Sequence, residues 1–147
     1  MLTTKRFDAE INVLLNKGYT FNLEPSKFPP EKIRFNVKIK IGSNTDFYNI
    51  VIHNLNLFPE KEPIVTVTRQ FQMCPLIDCW GREMKGPSRE NHLLSSHNGL
   101  THICLFSSWN PLTSIYKILS RSIFWLHAYQ RHLLERHPID YYISHQQ

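Results

Sequence analysis

Between Lys32 and Ile41 the chain alternates with a period of two. Ile33, Phe35, Val37, Ile39 and Ile41 take one set of positions; Lys32, Arg34, Asn36, Lys38 and Lys40 take the other. Successive side chains of an extended strand point to opposite faces, so this segment reads as a half-buried strand with a basic outer face. A slip of one residue would turn the whole apolar set to solvent, so the pattern fixes a register in which Val37 is buried and Lys38 is not. Gly42-Ser43-Asn44 makes a turn into a second strand, about Asp46 to Leu55. That strand is apolar on both faces, with Phe47, Val51 and Leu55 on one and Tyr48, Ile50 and Ile52 on the other, which predicts a central place in the sheet. Pro59 and Pro63 bracket a short loop before a third strand, Ile64 to Thr68. Strands in hairpin order predict an antiparallel meander with its apolar face covered by helices.

The covering helices have their own periodicity. From Thr4 to Lys17, Phe7, Ile11, Leu14 and Leu15 form one stripe, and Gly18 supplies the stop. A proline-punctuated link runs from Pro25 to Pro30. After Pro111, Leu112, Ile115, Tyr116 and Leu119 form one helical stripe, and Ile123, Leu126, Tyr129, Leu133 and Leu134 form another that reaches His137 before Pro138. These read as two helices. Trp125 and Tyr129, four apart, read as core. Between strands and helices, Gln72 to Ser96 shows no period. A loop of that length is uncommon in a compact domain and is often functional, so an irregular flap without bound metal is expected there. Order returns at Thr101 to Phe106. The expected fold is α+β in one domain over residues 1–147.

Composition narrows the partners. Lys and Arg number 17 against 12 Asp and Glu, a net charge of +5 with eight His besides. Such a balance suits an acidic partner, nucleic acid included. However, Lys32, Arg34, Lys38 and Lys40 lack the interleaved aromatics on which bases stack, so a solvated strand face is expected instead. The segment Leu2 to Asp8 has no apolar run of the kind a signal peptide needs, and stretches such as Ile50 to Ile52 are far too short to cross a bilayer. A cytoplasmic protein is expected. Three cysteines, Cys74, Cys79 and Cys104, cannot all pair within the chain, which points to reduced thiols.

Two local sequences carry a family likeness. Phe58-Pro59-Glu60-Lys61-Glu62-Pro63-Ile64-Val65 looks like the "YPxxPPxV" turn of ubiquitin-conjugating enzymes. Ile103-Cys104-Leu105 followed by Trp109-Asn110-Pro111 resembles the "ICL…WxP" stretch that holds that family's thioester-forming cysteine. The order of elements matches over most of the chain. The family's His-Pro-Asn triplet is absent, and the span from Pro63 to Cys104 is 41 positions, longer than in eukaryotic members. With Trp125-Leu126 and Tyr129 in the closing helix, these departures look like the prokaryotic branches of the family. Those branches occur in bacterial ubiquitin-like modification operons and in cyclic-oligonucleotide-based antiphage signalling (CBASS). The resemblance implies acyl transfer without a cofactor. The donor would be a ubiquitin-like protein, or the C-terminus of a cyclic-nucleotide synthase (a CD-NTase), with an activating enzyme in some operons and none in the short ones. The alternative is a conjugating-like adaptor that binds a partner without thioester chemistry.

The chemistry falls first to Cys104. Acyl transfer needs a cysteine that can become a thiolate, meets a large donor and is held in place. With the triplet missing, the oxyanion that forms when an amine attacks the thioester needs another donor. Ser96-His97-Asn98 occupies the region before the cysteine, so His97 and Asn98 are candidates. His102, two residues before Cys104, shares its face if the segment is extended. Trp109 and Pro111 are expected to shape the backbone behind the cysteine. The spacing of Cys74, Cys79, His92, His97, His102 and Cys104 also leaves a structural zinc clip as a rival reading of the loop.

Overall fold

The computed structural model describes residues 2–144; Met1 and residues 145–147, included in the expected domain, lie outside the described residues. A six-stranded antiparallel sheet has the order β1-β2-β3-β4-β6-β5 and carries helices on one face. The strands are β1 (Phe21–Glu24), β2 (Lys32–Ile41), β3 (Asn44–His53), β4 (Ile64–Arg69), β5 (Leu93–His97) and β6 (Leu100–Ile103). The helices are α1 (Thr4–Asn16), α2 (Ile115–Glu135) and α3 (Ile139–Ser144). The α+β plan, the N-terminal helix and the antiparallel sheet follow the sequence expectation.

The register of β2 is the one the alternation demands. Ile33, Phe35, Val37 and Ile39 are buried, while Lys38 and Lys40 are exposed. β3 lies centrally, paired with β2 and β4, and its Tyr48, Ile50 and Ile52 enter the core. Its second face is more polar than expected. Phe47 is 52% exposed, and Asn49, Val51 and His53 line the outer side. The strand stops at His53, because Asn54 turns left-handed at φ +62 and opens a 3-10 turn, Leu55–Leu57.

Three expectations are corrected. Leu15 is 56% exposed rather than part of the stripe, and Glu10 is buried in its place. The Glu10 carboxylate accepts from Arg6 Nε at 2.8 Å and from the Ile115 N–H at 2.8 Å. It thus satisfies an unpaired donor at the start of α2, where negative charge also complements the helix dipole. The two expected C-terminal helices are one. Ser114 caps α2 with its hydroxyl, and Ile118, Ser122, Trp125, Leu126 and Tyr129 form an unbroken buried stripe, while Leu112 is 84% exposed and outside it. The helix stops before Pro138 but earlier than His137: α2 ends at Glu135, where Arg136 turns left-handed, and a separate helix, α3, begins at Ile139.

The irregular segment is shorter than expected and is anchored. It ends at His92, because Leu93–His97 is a strand joined to β6 through Asn98 (φ +52) and Gly99 (φ +76). Asn-Gly supplies the two left-handed positions that a tight hairpin turn requires. Upstream, Leu76 N–H donates to Thr101 Oγ1, Tyr129 Oη donates to the Ile77 carbonyl, and Cys79 N–H donates to Nε2 of the buried His132. Gly86 holds the segment against β5 at φ +54. A Cβ there would meet the Leu94 carbonyl oxygen closer than side chains tolerate and Leu93 Cβ at 2.9 Å. Gly86→Ala should lower stability by at least about 2 kcal/mol, read as a fall of roughly 5 °C or more in the thermal midpoint.

Candidate functional site

Cys104 follows the last residue of β6. Ile103 is buried and pairs with Leu93, and the Cys104 N–H donates to the His92 carbonyl at 2.8 Å, so the backbone on both sides is fixed. The thiol is half-buried, with Sγ 3.8 Å from the Phe106 carbonyl. Burial pushes its pKa up, and the neighbouring Glu62 pushes it further, against a small lowering by the Phe106 contact. Glu62 is itself raised by burial.

Two cavities meet at Cys104. One, of about 260 Å³, is bounded by His92, Leu105, Arg121, Phe124 and Trp125. The other opens toward Ser88, Arg89, Leu94 and Asp140, and His92 and Cys104 line both. His92 holds φ +52, and its Nε2 lies 2.6 Å from Asp140 Oδ1. A carboxylate at that distance fixes the orientation of the ring. Asn91, one residue earlier, ties the wall together. Its carbonyl accepts from Trp125 Nε1, and its side-chain oxygen accepts from the Ile139 N–H. Arg121 donates to the Leu105 carbonyl and lies over the Phe106 ring at 4.8 Å. Trp109 does shape the chain: its Nε1 donates to the Pro59 carbonyl at 2.7 Å, tying the Phe58–Pro63 turn to the segment after Cys104. The carbonyl of Pro111 accepts from Arg6.

His97, Asn98 and His102 lie elsewhere in this arrangement. His102 Nδ1 contacts the Ser95 carbonyl at 3.1 Å, and its ring lies 6.5 Å from that of His97, which packs edge-on against His53 at 4.8 Å. Asn98 lines a cavity with His53 on the outer face of the sheet. None of the three borders a cavity with Cys104. The face shared by His102 and Cys104 required the strand to continue, and it ends at Ile103. The sequence singled out His92 only as part of a zinc clip, and nothing there tied it to Asp140, which is 48 residues away and beyond Pro138.

Among the described residues, no group of three or more His, Cys, Asp or Glu is placed to hold a metal ion. Cys74 is exposed near Gln72, and Cys79 sits against His132, so the spacing that suggested a zinc clip is not gathered into one site. No helix among the described residues is long and apolar enough to cross a membrane. No protein-family model matches the chain. No curated protein matches it either.

The link between Glu62 and the thiol can be measured. Glu62→Gln removes the like charge, so iodoacetamide should alkylate Cys104 roughly two- to fivefold faster at pH 8, in a chain with Cys74→Ala and Cys79→Ala. An unchanged or slower rate contradicts the coupling.

Proposed function

We propose that this chain is a ubiquitin-conjugating-like cysteine acyltransferase, acting in the reducing cytoplasm of a bacterium as part of antiphage defence. The observation that carries the reading is the half-buried Cys104 thiol, fixed at the end of β6 where two cavities meet, with His92 and Asp140 beside it. The order of helix, antiparallel sheet and covering helices supports it, as do the two motifs that resemble the family.

The chemistry runs in two steps. Cys104 gives up its proton to solvent water, and its thiolate attacks the activated C-terminal carbonyl of a protein donor. The activating group departs with its bonding pair, and a thioester forms. An amine then attacks the thioester carbonyl. The C–S bond breaks, the sulfur leaves as thiolate, and the amine's proton passes to His92, which Asp140 orients. The donor is a ubiquitin-like protein or a CD-NTase C-terminus, delivered by an activating enzyme where the operon has one. His97, Asn98 and His102 are the other candidates for assisting the second step. Substitution separates the two sets. Asp140→Asn should slow transfer to the amine about tenfold or more with little effect on loading. If transfer falls instead with His97→Ala, Asn98→Ala or His102→Ala and not with Asp140→Asn, the oxyanion role belongs to the outer-face residues.

One feature favours a second reading, a conjugating-like adaptor that binds a partner without chemistry: burial and the neighbouring Glu62 push the Cys104 thiol up, away from the thiolate that loading needs. The test is a thioester. With its donor and activating partner, the chain should run as a larger species on a non-reducing gel, and excess thiol should dissolve it. Cys104→Ser should give a species that resists thiol, since an alkoxide leaves less readily than a thiolate. Absence of any adduct with the wild-type chain favours the adaptor.

A further inference from the structure

The outer face of the sheet, away from the helices, is not the plain solvated surface its basic residues suggest. Lys32 and Arg34 of β2, Asn49 and His53 of β3, and Thr66 of β4 line a cavity of about 170 Å³, far more than one water needs. It shares no residue with the cavities at Cys104. Thr66 and Asn49 are at least nine-tenths buried, at 1% and 7% exposure. Thr66 Oγ1 lies 2.8 Å from His53 Nε2, but Asn49 Oδ1 is buried with no hydrogen-bond partner. A buried acceptor left unpaired costs roughly 1–3 kcal/mol, so it marks a place where a donor from outside would be gained. No carboxylate lines the cavity among the described residues. Arg34 itself pairs with Glu24, which is not part of the lining, through Nε to Oε1 at 3.4 Å and Nη2 to Oε2 at 3.5 Å.

We propose that this cavity binds a small oxyanion ligand that also carries an N–H or O–H donor, the oxyanion meeting Lys32 and Arg34 and the donor meeting Asn49 Oδ1. Carboxylates and phosphates share the required chemistry. A planar guanidinium accepts either in two-pronged fashion, and an ammonium adds a point charge. His53 is held down to about 4, first by burial, and then by His97, Lys32, His102 and Arg34. The groups facing it are thus cations of β2 and histidines of β5 and β6, with the Thr66 hydroxyl of β4 as its hydrogen-bond partner. Bound anion would offset that field and raise the pKa of the His53 ring.

The test is a titration of the whole chain followed by NMR, with N-acetylglycine and inorganic phosphate as separate probes and sodium chloride as the ionic-strength control. N-acetylglycine brings a carboxylate and an amide N–H; phosphate brings an oxyanion and a hydroxyl. At least one probe should give saturable shifts at Asn49 and His53 and raise the His53 ring pKa. The probe that saturates at lower concentration identifies the source. Arg34→Gln should weaken binding by at least about tenfold. Asn49→Val should also lose the ligand while leaving the thermal midpoint unchanged or higher, because an unpaired acceptor is removed. Retention of the wild-type amide spectrum shows that each variant is folded, and Arg34→Gln stands alone if Asn49→Val fails that check. Shifts that do not saturate, that chloride reproduces, or that survive Arg34→Gln in a folded chain overturn the proposal.

Discussion

Cys104→Ala should abolish adduct formation and leave the chain folded. The side chain is half-buried at a cavity wall, with one weak contact from Sγ to the Phe106 carbonyl. Its backbone is held independently, by the hydrogen bond to His92 and the pairing of Ile103. Losing the sulfur therefore removes little packing, about 1 kcal/mol or less, while removing the only atom there able to form a thioester. Cys74→Ala and Cys79→Ala should keep the adduct. Cys74 is exposed near Gln72, and Cys79 makes its contact to His132 through its backbone N–H. Non-reducing gels give the first result, and thermal melts give the second. An adduct of undiminished yield in Cys104→Ala would remove the cysteine from the mechanism.

Trp125→Ala should cost about 3–5 kcal/mol, the largest loss among the substitutions considered. The indole is 1% exposed and stacks on Tyr129 with ring centroids 5.7 Å apart and planes inclined by 6°. Its Nε1 donates to the Asn91 carbonyl at 3.0 Å, which ties α2 to the wall of the Cys104 cavity. Truncation leaves a void in the core and an unpaired carbonyl beside it. Trp125→Phe keeps a ring against Tyr129 and loses only the donor, so it should cost about 1–2 kcal/mol. Urea denaturation with an unchanged slope reads both values. A loss below about 1 kcal/mol for Trp125→Ala would show that this side chain does not anchor α2.

How far the fold could be read in advance depended on whether a pattern was local. The alternation from Ile33 to Ile41 carried its own register, and β2 adopts it. Asn98-Gly99 is an equally local hairpin signal, but the polar residues Ser95, Ser96 and His97 hide the strand before it. β1 is four residues long, too short to show a period, and only its pairing with β2 defines it. The two stripes after Pro111 merged because Ser122, polar in isolation, is buried with its hydroxyl donating to the Ile118 carbonyl. At the candidate site, Cys104 stood out through its neighbours in sequence. The chemistry of His92, Asp140 and Glu62 around it did not, since only the fold brings the residue before β5, α3 and the turn before β4 to one sulfur. Spacing also grouped His97 and His102 with Cys104, where the end of β6 separates them.

The central claim is that a protein's C-terminus is held on Cys104 through sulfur. The direct measurement is mass spectrometry of the adduct after digestion at acid pH, which preserves thioesters. The peptide containing Cys104 should carry the donor's C-terminal residues through a bond cleaved by neutral hydroxylamine. The same residues found only on a lysine, on Cys74 or on Cys79, with the Cys104 peptide unmodified, would contradict it.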